Sequence, residues 1–166
     1  MTMRRLPLIT FIVLAILCVA QAEYYYPLLP DTVASHFNGA GQPDAWSSKG
    51  TFVGIYLLVV GAITVLFLVI SYAFPKIPPF LITLPNKDYW LSEERRRDTL
   101  SFLSGHFLWF ASATLLLLLD IFHQAFKVHL GRAGALPHPI LSLGLYLAIS
   151  TIWCIWLFLK FRKIVK

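Results

Sequence analysis

Residues 52–74 read FVGIYLLVVGAITVLFLVISYAF, a run without a single charged side chain. As an α-helix rising 1.5 Å per residue it is about 34 Å long, enough to cross the roughly 30 Å of hydrocarbon in a bilayer. Only a helix or a closed barrel satisfies its backbone polar groups there. Three more stretches have the same character: Leu6 to Ala22, Phe102 to Phe122 and Ile140 to Leu159. Over all 166 residues the chain is 58% hydrophobic and 13% charged, with a mean hydropathy of +0.71, which excludes a water-soluble globular core.

The connections, 23–51, 75–98 and a short third loop, leave no room for a separate soluble domain. The expected fold is therefore an all-α integral membrane protein forming one domain over residues 1–166. It is a four-transmembrane-helix bundle with one structured outer loop (23–51) and one Pro-rich cytoplasmic loop (75–98).

The formal net charge of +6 would suit nucleic acid, but the distribution of the basic residues points to topology instead. Arg4, Arg5, Lys76, Lys87, Arg95, Arg96, Arg97, Lys160, Arg162, Lys163 and Lys166 fall on one side, 11 of the 14, and only Lys49, Lys127 and Arg132 on the other. The positive-inside rule then puts both termini and the 75–98 loop in the cytoplasm. The first partner is the lipid bilayer, and nucleic acid is not expected. An alternative for the first segment is a signal peptide, because Arg4 and Arg5 precede an apolar run ending in the small-x-small pattern Ala20-Gln21-Ala22. Cleavage would leave three helices.

Cys18 and Cys154 lie in different helices at unmatched depths, so they read as buried small hydrophobes rather than a disulfide. Ser47 and Ser48 are candidate N-caps for the second helix. Gly50, Gly54 and Gly61 on that helix, and Ser101, Gly105 and Ser112 on the third, form small-residue stripes that suit close packing inside the bundle, with homodimerisation as the alternative.

In the 75–98 loop, Pro75, Pro78, Pro79 and Pro85 rule out a continuous helix between Phe74 and Asn86. A helix can start from Ser92, with Glu93 and Glu94 in its first turn and Glu93 four residues before Arg97. Arg95, Arg96 and Arg97 then stand at headgroup level, facing anionic lipid.

The outer loop has the densest patterning. Tyr24, Tyr25, Tyr26 and Trp46 match an interfacial aromatic belt. Gly39, Gly41 and Pro43 supply turns, so the loop can fold back and bring His36 towards Asp44. Such a pair can orient a proton donor, titrate near neutral pH or help hold a metal, or it can simply stabilise the loop.

The run Leu29-Pro30-Asp31, His36-Phe37, Gly41-x-Pro43-Asp44-x-Trp46-x-Ser48-Lys49 resembles the signature of the bacterial domain of unknown function 1648. That domain is the membrane module at the N-terminus of SdpI-type immunity proteins. A second stretch, Leu84-Pro85-Asn86-Lys87-Asp88-Tyr89-Trp90-Leu91, is similar to the motif that follows helix two in that family, and the resemblance spans about Leu6 to Phe126. It implies a bacterial inner-membrane protein with a function in sensing, immunity or signalling. SdpI-type proteins carry a second helical module, and this chain ends after one further helix.

Asp120 and His123 lie one turn apart on the third helix, and an intramembrane acid suggests function. With His36 and Asp44 they are the weak metal-ligand candidates of a chain from which neither metal nor cofactor is expected, because no tight ligand spacing links them. His106, about 21 Å along the helix from Asp120, reads as an interhelical hydrogen-bonding group. No nucleophile motif or phosphate loop is present. The expected function is therefore a non-enzymatic envelope protein acting through its outer loop. An accessory subunit of a larger membrane complex, or a homo-oligomer, is the alternative, and a metal-dependent enzyme or transporter ranks last.

Overall fold

A computed structural model describes residues 5–163; Arg4 and Lys166 fall outside them. The elements in order are α1 (Arg5–Tyr25), β1 (Thr32–Phe37), β2 (Pro43–Ser48), α2 (Lys49–Ala73), the single turn α3 (Lys87–Trp90), α4 (Arg96–His129) and α5 (Pro139–Arg162). α1, α2, α4 and α5 are long and apolar enough to cross a membrane.

Each long helix overruns its apolar run, because caps and polar end-turns set where a helix stops. α2 begins at Lys49 since Ser48 Oγ accepts the Thr51 N–H at 3.1 Å. α4 is 34 residues, about 51 Å. It stops where Gly131 takes φ +68°, with Arg132 N–H donating to Lys127 O at 2.9 Å and Gly131 N–H to Val128 O at 3.0 Å, a Schellman ending. Asp120 therefore lies nine residues before the end of this helix.

The helix expected from Ser92 starts instead at Arg96. Ser92 to Arg95 form a turn, in which Ser92 O accepts from Arg95 N at 3.1 Å and Arg96 N at 2.9 Å, so the chain can swing from α3 onto the α4 axis.

α4 is the centre of the molecule. Phe11, Cys18 and Ala22 of α1, Phe52, Tyr56 and Val60 of α2, and Leu108, Ala111, Leu115 and Phe126 of α4 form one core. α5 contributes nothing to it; along its length only Phe161 is buried. The expected four-helix bundle is thus a three-helix core with α5 laid along α4. Ser104, Gly105, Ala111 and Ser112 are buried, so the α4 small-residue stripe does serve internal packing. The α2 stripe does not: Gly50, Gly54 and Gly61 are exposed, and a Cβ on Gly54 or Gly61 would meet nothing within 4 Å. Both cysteines are free; Cys18 is buried, but Cys154 faces outward from α5, not inward as expected.

The chain is not all-α. β1 and β2 form a two-stranded antiparallel hairpin, pairing Thr32 with Ser48, Ala34 with Trp46 and Phe37 with Pro43, with an irregularity around His36. Asn38 builds its turn: the side-chain Oδ1 accepts from Ala40 N at 2.9 Å and Gln42 N at 3.1 Å, and Gly41 completes it at φ +74°.

Candidate functional site

The hairpin positions its side chains in two groups. At its base, Lys49 Nζ lies 3.1 Å from Asp31 Oδ1 and donates to Leu29 O at 3.3 Å, closing the loop that follows Pro30. Near its tip, His36 Nδ1 and Asp44 Oδ1 are 2.5 Å apart on the solvent face. The loop therefore folds back as the spacing predicts. Trp46 is 62% exposed and presents an aromatic surface on the outside of the hairpin.

The hairpin is docked, not free. Its buried side carries Val33 and Ala34. His129 Nε2 donates to Ala34 O at 3.0 Å, and Leu136 N–H donates to Gly41 O at 2.8 Å, joining the tip to the loop between α4 and α5. An added Cβ at Gly41 would stand 3.1 Å from Leu136 O, so only glycine fits this close approach.

The second motif sits at the opposite end of the molecule and also reaches α5. Asn86, in the left-handed region at φ 50°, donates from Nδ2 to Arg162 O at 2.8 Å and Phe161 O at 3.2 Å. Trp90 Nε1–H donates to Phe161 O at 2.8 Å, and its ring meets Phe161 edge-on at 5.3 Å. These carbonyls are orphans of the last turn of α5, and the motif caps them. Pro85 precedes the left-handed residue, Lys87 O accepts the Leu91 N–H, and Tyr89 lies 4.3 Å beneath the Arg95 guanidinium. Arg96 turns inward to Ile77 O at 3.2 Å, whereas Arg97 is exposed, so the three arginines do not form one uniform row.

Asp120 and His123 diverge. Asp120 faces α5: its Oδ2 accepts from Ser142 Oγ–H at 2.6 Å and Gln124 Nε2–H at 2.8 Å, while Gln124 Oε1 accepts the His138 N–H at 2.9 Å. The amide thus accepts the N–H of the residue just before α5, and the acid stands at that helix's positive dipole end. His123 faces α1, with Nδ1 3.2 Å from the Tyr25 hydroxyl. His36 and Asp44 are in neither group, and among the described residues no three His, Cys, Asp or Glu side chains converge.

His106 accepts from Trp153 Nε1–H at 3.0 Å, the interhelical bond its position suggested, and Thr114 pairs with Tyr146 at 2.9 Å. Sequence reading missed Gln21, which accepts from the Tyr56 hydroxyl at 2.9 Å and donates to Leu119 O at 3.0 Å, tying α1, α2 and α4 together. An amide inside an apolar run was the available signal.

The long apolar helices and a docked polar hairpin define a multi-pass membrane protein. Residues 12–60 match the family model described as a domain of unknown function, DUF1648. The match takes in most of α1, the hairpin and the first half of α2; the Leu84 to Leu91 motif lies beyond it. Comparison with curated proteins and with solved structures gave no match.

Proposed function

We propose that the chain is a non-enzymatic protein of the bacterial inner membrane that receives a signal or ligand at the hairpin and passes its state along α5 to the Asn86 to Trp90 segment. The supporting observation is that the two motifs hold the two ends of one helix: Gly41 bonds Leu136 just ahead of α5, and Asn86 and Trp90 bond its final carbonyls. α5 is lightly packed, so its position responds to both. The concentration of basic residues at the Asn86 end supports an orientation with the hairpin outside and both termini in the cytoplasm. The resemblance to SdpI-type immunity proteins points the same way.

The test uses a chain with Cys18 and Cys154 replaced by alanine and a single reporter cysteine at Lys87. His36→Ala or Asp44→Ala in the hairpin should change thiol labelling at that reporter and alter the response of cells. Unchanged labelling and an unchanged phenotype would remove the reading.

A second reading, an accessory subunit or homo-oligomer, rests on the open surface at Gly54 and Gly61 and on the outward face of α5. Gentle extraction followed by sizing and mass spectrometry separates the two, since a lone monomer counts against it.

A further inference from the structure

On the hairpin side, between α4 and α5, lies a groove of about 570 Å³. Its deeper part is apolar, and Leu116, Leu141, Leu145 and Ile149 along it are all more than half exposed, so it is open sideways to lipid. Its upper part carries two opposite charges on one face of α4, Asp120 and Lys127, two turns and about 10 Å apart along the axis.

Asp120 Oδ2 already accepts two bonds, from Gln124 and Ser142, while among the described residues Oδ1 accepts none. Among the described residues neither Asp120 nor Lys127 has an ion-pair partner. Helical side chains lean towards the helix N-terminus, so the Lys127 arm leans down towards the Asp120 level without meeting it. The groove wall thus presents a carboxylate and, two turns above it, an ammonium, with an apolar channel beneath. Ser142 and Gln124 serve only one oxygen of this carboxylate, and at a membrane-spanning helix a charged oxygen without a donor is costly.

We propose that this groove binds a phospholipid with a primary-amine headgroup, phosphoethanolamine. Its phosphate meets Lys127 at the upper end of the groove, its ammonium folds back to Asp120 Oδ1, and one acyl chain descends from the glycerol along Leu116, Leu145 and Ile149. A zwitterion matches the two charges, and a primary ammonium brings N–H donors that a choline head lacks. The lipid enters from the bilayer because the apolar wall opens there. The site is independent of the signalling reading above and stands if that reading fails.

The experiment reconstitutes the full chain in nanodiscs holding equal parts phosphatidylethanolamine, phosphatidylcholine and phosphatidylglycerol, then weighs the lipid retained after detergent release by native mass spectrometry. The ethanolamine lipid should be retained selectively, with retention falling as its nitrogen is methylated. Asp120→Asn should lower retention about tenfold or more, as for one lost charge-assisted hydrogen bond, and Lys127→Gln should lower it too. Because Asp120 also serves the start of α5, Leu145→Trp provides the second arm: it fills the apolar channel without replacing a side chain that makes a polar bond, and should exclude the lipid with the thermal midpoint unchanged. Equal retention of the ethanolamine and choline lipids, preference for the glycerol lipid, or wild-type selectivity surviving in both Asp120→Asn and Leu145→Trp would overturn the proposal.

Discussion

Replacing Asn86 should loosen the last turn of α5 by an amount that depends on the replacement. Its Nδ2 donates to Arg162 O at 2.8 Å and Phe161 O at 3.2 Å, and its backbone holds φ 50°, ψ 44°. Asn86→Gly keeps that backbone accessible and removes the two bonds, a loss of about 1–2 kcal/mol. Asn86→Ala removes the same bonds and adds about 1 kcal/mol of left-handed strain. At 1.4 kcal/mol per factor of ten, the opening equilibrium of the last turn shifts about 5- to 30-fold for glycine and about 30- to 150-fold for alanine. Hydrogen exchange on the full chain in nanodiscs reads this directly, comparing the amides of residues 156–163 with those of 139–145 as an internal reference. Wild-type exchange at 156–163 in Asn86→Ala would refute the capping role. Equal acceleration by glycine and alanine would refute the strain component, and equal acceleration of the reference segment would show that α5 opens as a whole.

Gly41→Ala should free the hairpin tip, since φ +74° and a Cβ 3.1 Å from Leu136 O cannot both be accommodated; a cost of about 1–2 kcal/mol should appear as faster proteolysis between residues 38 and 42. Gly134→Ala, with open space around its Cβ, should leave the cleavage rate unchanged. Trp153→Phe removes the bond to His106 and should lower resistance to unfolding in mild detergent by about 0.6–1.7 kcal/mol, the range for interhelical bonds in membranes; no change would mean the bond contributes nothing net. Gln21→Leu strands the Tyr56 hydroxyl and should cost about 1–3 kcal/mol, part of which returns in the Gln21→Leu, Tyr56→Phe double variant because both partners are then apolar. Strict additivity in that cycle would count against the Gln21 to Tyr56 bond.

The four spans were legible because an uncharged run such as Phe52 to Phe74 meets a physical requirement that few other structures satisfy. Their ends were not, since Ser48, Gly131 and the polar turns of α4 belong to the helices without being apolar. The juxtaposition of His36 with Asp44 followed from the glycines and proline between them. The strands themselves did not, because TVASHF and PDAWSS show no clean two-residue alternation. Asp120 and His123 share a helix side in sequence, yet side chains one turn apart still differ by about 60° around the axis. That offset is enough to turn one towards Ser142 and the other towards Tyr25. Single polar residues such as Thr114, Tyr146 and Trp153 carry no partner information until the rotation of each helix is known.

α1 and α5 are attached to α4 by different physics, and this decides which perturbations travel. α1 is fixed by interdigitated packing, with Phe11 and Cys18 fully buried and Ala22 nearly so. α5 faces lipid over most of its surface, and because lipid tails are as apolar as leucine, contact with α4 gives it little hydrophobic stabilisation. What sets its height and rotation is a series of polar bonds: Asp120 and Gln124 to Ser142 and His138, Thr114 to Tyr146, His106 to Trp153, and Asn86 and Trp90 to its last carbonyls. Packing changes in α1 therefore act on the whole core, whereas breaking one of these bonds leaves the others as pivots and lets α5 tilt. The Leu136 to Gly41 bond, just ahead of α5, and the Asn86 to Trp90 turn at its end lie outermost, where the same bond energy acts on the longest lever. The function proposed above requires that a displacement imposed at one end be carried to the other by the helix itself, without unfolding the core.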